Sequence, residues 1–107
     1  MHEHRLILVD ADIVEPHGDD FIASRWLFEG LLAQVDNQRH RYITGTNVTA
    51  QQAHALADAI AKLTPTPAQA VANAIHGDPT GEGVMELVRF LRQGTCVLVD
   101  GDAHDAR

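Results

Sequence analysis

Cysteine, lysine and aromatic residues are scarce in this chain of 107 residues, which holds one cysteine, Cys96, one lysine, Lys62, one tryptophan, one tyrosine and three phenylalanines. A lone cysteine closes no intrachain disulfide, so stability must come from a packed core, and a reducing, cytoplasmic setting is expected. No apolar run approaches the roughly 18 residues of a membrane span. The opening Met1-His2-Glu3-His4-Arg5 and the short apolar stretch after it lack the small-residue cleavage site of a secretory signal. Positive charge is also short: eight Lys and Arg face fifteen Asp and Glu, for a net charge of −7. The densest basic cluster is only Arg39-His40-Arg41, while Asp10, Asp12, Glu15, Asp19 and Asp20 follow one another with no Lys or Arg between them. Phosphate neutralisation needs a basic face, so nucleic acids and anionic membranes drop out as direct ligands.

What remains is an ordinary globular composition, 45% hydrophobic and 21% charged, which implies one domain over residues 1–107 with residues 1–4 and 101–107 expected to be mobile. Two continuous apolar runs, Leu6-Ile7-Leu8-Val9 and Val97-Leu98-Val99, read as covered strands at about 5–12 and 95–100. Between them lie four helical patterns, at about 20–36, 50–63, 67–76 and 79–93, and a minor strand near 41–47. Thr49-x-x-Gln52 and Thr66-x-x-Gln69 are capping boxes, and Pro67 suits a first helical position. The expected fold is α+β, or a small two-layer α/β arrangement, with four helices on a sheet of two to three strands. Phe28, Leu31, Leu56, Ile60, Leu87, Phe90 and Leu91 are its expected core.

The pieces Trp26-Leu27 with Leu31-Leu32, then Val48-Thr49 with Ala53, Leu56, Ala57 and Ile60, then Phe90-Leu91-Arg92-Gln93-Gly94 carry a resemblance. Over residues 24–99 the chain resembles a group of small actinobacterial and mobile-element proteins with a Trp-containing helix, a V-[ST]-x-x-x-A-x-x-L-A-x-x-[LI] helix and an F-[LC]-R-x-G strand entry. It departs from them at Gly94-Thr95-Cys96, where the group carries Gly-Gly-aromatic. The resemblance implies a fold and a cytosolic setting, and no activity.

Chemistry-bearing residues are few. Leu8-Val9-Asp10-Ala11-Asp12 and Leu98-Val99-Asp100-Gly101-Asp102 share one pattern. If the two strands are parallel neighbours, Asp10, Asp12, Asp100 and Asp102 meet at one sheet edge and offer oxygen ligands to a divalent cation; antiparallel strands would separate them. The bland alternative is that Asp merely marks strand ends and turns. The seven histidines read as solvated or structural, with His54 and Asp58 a surface pair and His76 at the close of the third helix. Cys96 enters a buried strand, the setting of an inert thiol. Ser24 lacks a nucleophile elbow, and Gly81-Glu82-Gly83 lacks the context and the lysine of a phosphate loop.

The first helix has a second apolar or small face, Ile22, Trp26, Gly30 and Ala33. Three explanations fit: the helix is sandwiched, residues 21–28 are partly strand, or the face binds a partner. The reading that results is a non-enzymatic, protein-binding accessory or regulatory factor of phage or mobile-element origin, using Ile22, Trp26, Gly30 and Ala33 and needing no cofactor. The alternatives are a metal-binding module or metal-dependent enzyme built on Asp10, Asp12, Asp100 and Asp102, and a homo-oligomer.

Overall fold

The computed structural model describes residues 4–35, 47–63 and 66–101. The expected strand at 41–47 falls mostly outside them, as do the basic cluster at 39–41 and residues 1–3 and 102–107. The elements are β1 (Arg5–Val9), β2 (Val14–His17), β3 (Asp20–Ser24), α1 (Arg25–Val35), β4 (Asn47–Val48), α2 (Ala50–Ala61), α3 (Pro67–Ile75), α4 (Glu82–Leu91) and β5 (Cys96–Asp100). They form one mixed sheet of order β2-β3-β1-β5-β4. β3, β1 and β5 are parallel, with Leu6 opposite Phe21 on one side and Leu98 on the other, while β2 and β4 run antiparallel along the two edges.

The α+β class is as expected, but among the described residues the sheet has five strands and not two to three. The extra strands come from a β2–β3 hairpin that turns at Gly18, φ +62°. β2 reads Val-Glu-Pro-His and buries only Val14, so it shows no apolar alternation. Its Pro16 is tolerated because an edge strand has one row of N–H groups to spare. β3 is covered on both faces at most positions, which removes the two-residue period and lets Phe21 and Ile22 blend into the helical pattern that follows. The helix expected from residue 20 therefore starts at Arg25. Asp20, expected near a helix start, is instead a buried strand residue whose carboxylate accepts from the Arg5 backbone N–H at 3.1 Å and its guanidinium at 2.7 Å.

Leu6, Leu8, Phe21, Ala23, Cys96 and Leu98 share one core with Leu27, Phe28 and Leu31 of α1, Leu56 and Ile60 of α2, and Leu87, Phe90 and Leu91 of α4. All seven expected core residues are buried. The opposite sheet face, Ile7, Val9, Ile22, Val97 and Val99, is half-buried.

Both helices with a threonine N-cap begin as expected, and the Thr49 box is complete in both directions. α4 begins three residues later than expected because Asp78 does not start it but caps it from outside. Its buried carboxylate accepts from the Gly83 N–H at 2.7 Å and the Val84 N–H at 3.1 Å. That cap draws α4 onto β2 so closely that a Cβ on Gly83 would lie 2.6 Å from Val14 Cγ1.

Gly83→Ala should therefore destabilise the fold by about 1–3 kcal/mol through overpacking. Val14→Gly removes both Val14 atoms that crowd this position, Cγ1 at 2.6 Å and Cβ at 2.9 Å, so the double variant should lose less than the two single losses added together. Urea unfolding midpoints of the four proteins measure this coupling.

Candidate functional site

The carboxyl ends of β1, β3 and β5 lie along one edge of the sheet, where parallel α/β sheets usually hold ligands. β1 and β5 are parallel neighbours, so Asp10 and Asp100 end adjacent strands at that edge. Arg25, the first residue of α1, lies between them: its Nε donates to Asp10 Oδ1 at 2.8 Å and its terminal nitrogen to Asp100 Oδ1 at 2.8 Å. A cation at a helix N-terminus opposes the macrodipole, and α1 has no acid in its first turn. The two carboxylates supply the missing negative charge. Asp12 is drawn elsewhere, to His76 Nδ1 at 3.3 Å, and Asp102 lies outside the described residues. Among the described residues no three His, Cys, Asp or Glu side chains are grouped as a metal would require.

Ser24 stands just before α1, the position where serine commonly caps a helix. Its hydroxyl is buried and makes no hydrogen bond to any described residue.

The expected partner face divides. Ile22 belongs to β3 and faces the half-buried side of the sheet beside Ile7. Trp26, Gly30 and Ala33 remain on α1, where Trp26 is 50% exposed, Ala33 is exposed, and Gly30 is half-buried. Of the three explanations for the doubled apolar pattern, partial strand character of residues 21–28 is what holds for residues 21–24.

Beside Trp26 lies the end of α3. The Trp26 and His76 rings stack with centroids 6.5 Å apart and planes 27° from parallel. Further along, Gln34 donates to Gln69 Oε1 at 2.6 Å, so α1 and α3 lie side by side and antiparallel. α3 is turned with its polar side inward. Gln69 is half-buried and Asn73 buried, whereas Val71 and Ile75 are 60% and 61% exposed. The residue spacing held a signal that sequence reasoning passed over: 69 and 73 form one i, i+4 polar pair, and 71 and 75 an apolar pair on the other side.

The remaining candidates are structural. Asp58 pairs not with His54 but with Arg92 at 3.1 Å, and His54 Nε2 lies 3.0 Å from the Arg92 carbonyl oxygen. Cys96 is buried, and burial pushes its thiol from the usual 9.0 up to about 11.

No family model, curated protein or solved structure matches the chain.

Arg25→Met leaves two carboxylates at the end of adjacent parallel strands without their shared partner. The loss should be about 1–3 kcal/mol, the scale of charge-assisted hydrogen bonds, and should shrink in molar salt, which screens the exposed charges. Ser24→Ala removes a buried hydroxyl with no partner among the described residues and should leave stability unchanged or raised. Denaturant melts at low and high salt separate the two cases. Cys96, protonated in the folded state to about 11, should resist a thiol-reactive disulfide at pH 8 until the protein is unfolded. Because the folded thiol holds its proton to higher pH than the unfolded one, stability should fall as pH rises from 9 toward 11.

Proposed function

We propose that the chain is a non-enzymatic, protein-binding accessory or regulatory factor. It docks through the outer side of α3 and the adjoining Trp26 onto a different protein whose apolar patch is ringed by Lys and Arg. The observation that carries this reading is the orientation of α3, which exposes Val71 and Ile75 beside a half-exposed tryptophan while turning Gln69 and Asn73 inward. A large aromatic with aliphatic neighbours has the composition of a binding hot spot.

Charge selects the partner. Asp12, paired to His76 beside Trp26, and Glu29, one helical turn from Trp26, are exposed acids at the rim of this surface. Each copy carries a net charge of −7, so self-association would set acid against acid, whereas a basic partner gains from the same field. A phage or mobile-element origin rests on the resemblance alone.

The alternative of a divalent-metal module at Asp10, Asp12, Asp100 and Asp102 draws support from the parallel adjacency of β1 and β5. It requires Arg25 to leave the two carboxylates.

A tagged protein, its Trp26→Glu variant and its Ile75→Glu variant test the docking reading. The partner retained from a native extract is purified and its Kd measured directly. Both variants should keep the parental melting temperature, and each should weaken binding about thirtyfold, the scale of a hot-spot loss near 2 kcal/mol. Rising salt should weaken binding further. Unchanged affinity in both folded variants overturns the reading. So does light scattering that finds only self-association through this face, which would favour the homo-oligomer.

A further inference from the structure

Between α1, α2, α3 and α4 lies a cavity of about 390 Å³, within the roughly 300–1,000 Å³ of small-molecule sites. Leu31, Ile60, Val84 and Val88 give it an apolar wall, and Met85, 60% exposed, stands at its mouth. Arg89 and Arg92 also line it. They are held by exposed ion pairs, Arg89 with Glu86 and Arg92 with Asp58, which are weak enough to rearrange.

One wall carries a directional ladder of amides. Gln34 Nε2 donates to Gln69 Oε1 at 2.6 Å, and Gln69 Nε2 donates to Asn73 Oδ1 at 2.7 Å. Asn73 ends the ladder. It lines the cavity, is only 7% exposed, and its amide nitrogen makes no hydrogen bond to any described residue. That amide nitrogen has both donors available, and an acceptor oxygen on a bound molecule could take them without displacing a partner among the described residues. The ladder's direction sets the ligand's chemistry, because its free end can only donate.

We propose that this cavity binds a small amphipathic carboxylate, its apolar body against Leu31, Ile60, Val84 and Val88 and its oxygens on the Asn73 amide and the guanidinium groups of Arg89 and Arg92. The site is separate from the docking surface, which is the opposite side of α3, and does not depend on it.

Decanoate is a suitable probe, read by methyl NMR of Met85, Ile60 and Val88 and by calorimetry. Saturable shifts of these methyls are expected. Asn73→Leu should weaken binding at least tenfold by removing the donor. Ala61→Trp, on an exposed cavity-lining position of α2, should abolish it by filling the space while leaving Asn73 and the fold in place. Arg89→Gln with Arg92→Gln should weaken it severalfold. The proposal is overturned if decanoate gives no saturable shift at these methyls. It is equally overturned if the folded Ala61→Trp variant binds decanoate as tightly as the parent.

Discussion

Parallel pairing of β3, β1 and β5 is the constraint on which the rest depends. It sets three strands in one direction, so chemically similar ends fall together, and each end is fastened by an arginine and aspartate. At the amino end Arg5 holds Asp20 across β1 and β3; at the carboxyl end Arg25 joins Asp10, just past β1, to Asp100 of β5. Parallel ladders cannot be closed by tight hairpins and must be registered by other means. These polar clamps provide such means, since slipping one strand by a residue would break the charge pairs as well as exchange its two faces. Arg25 has a further role, because it is also the first residue of α1 and so ties the helix start to the sheet edge.

That geometry determines which surfaces remain. The carboxyl edge of the sheet, the usual place for chemistry in such an arrangement, is taken up by the Arg25 clamp, while the helix-covered sheet face forms the core. α3 is the exception. It buries none of its larger apolar side chains and has only nine residues, too few for an isolated helix to be stable in water. Its ends are held instead: the Thr66 hydroxyl accepts from the Gln69 N–H at 3.1 Å, and the Asp78 N–H donates to the Asn73 carbonyl at 2.8 Å. His76, packed between Asp12 and Trp26, fixes its C-terminal end against α1.

Much of this was legible in the residues. The capping threonines, the two apolar strands and the seven core side chains follow from local chemistry that tertiary contacts only reinforce. The hairpin strand β3 was legible only as one of three explanations for the doubled apolar pattern at 21–28, because Asp20–Ser24 are covered on both sides and the apolar pattern continues into Leu27 and Phe28. Nor did the sequence reveal that Ile22 and Trp26, four residues apart, fall on different elements, since the strand-to-helix change lies between them with no glycine or proline to mark it. The carboxylate site shows the same limit. That Asp10 and Asp100 meet depended on strand direction, which periodicity cannot supply, and Arg25 joins them from 15 and 75 residues along the chain, separations that no local motif encodes.

The polarity of α3 is not what stability alone would select. Exposing Val71 and Ile75 forgoes the burial of two branched side chains, worth about 1.5–3 kcal/mol each, and turning Gln69 and Asn73 inward requires hydrogen bonds to offset their desolvation. A half-turn exchange of these four residues would favour the monomer on both counts. Elsewhere the departures are single residues, the buried Ser24 hydroxyl and Arg25 at the start of α1, whereas in α3 a whole helix face is inverted, the kind of local contradiction that functional sites carry. It is placed where the fold can bear it, on the short helix that contributes least to the core, and elements that bind and move are drawn from such weakly anchored parts of a structure. On the two proposals both faces of that helix have a purpose: the outer one would offer apolar side chains to a partner, and the inner one an amide to the cavity.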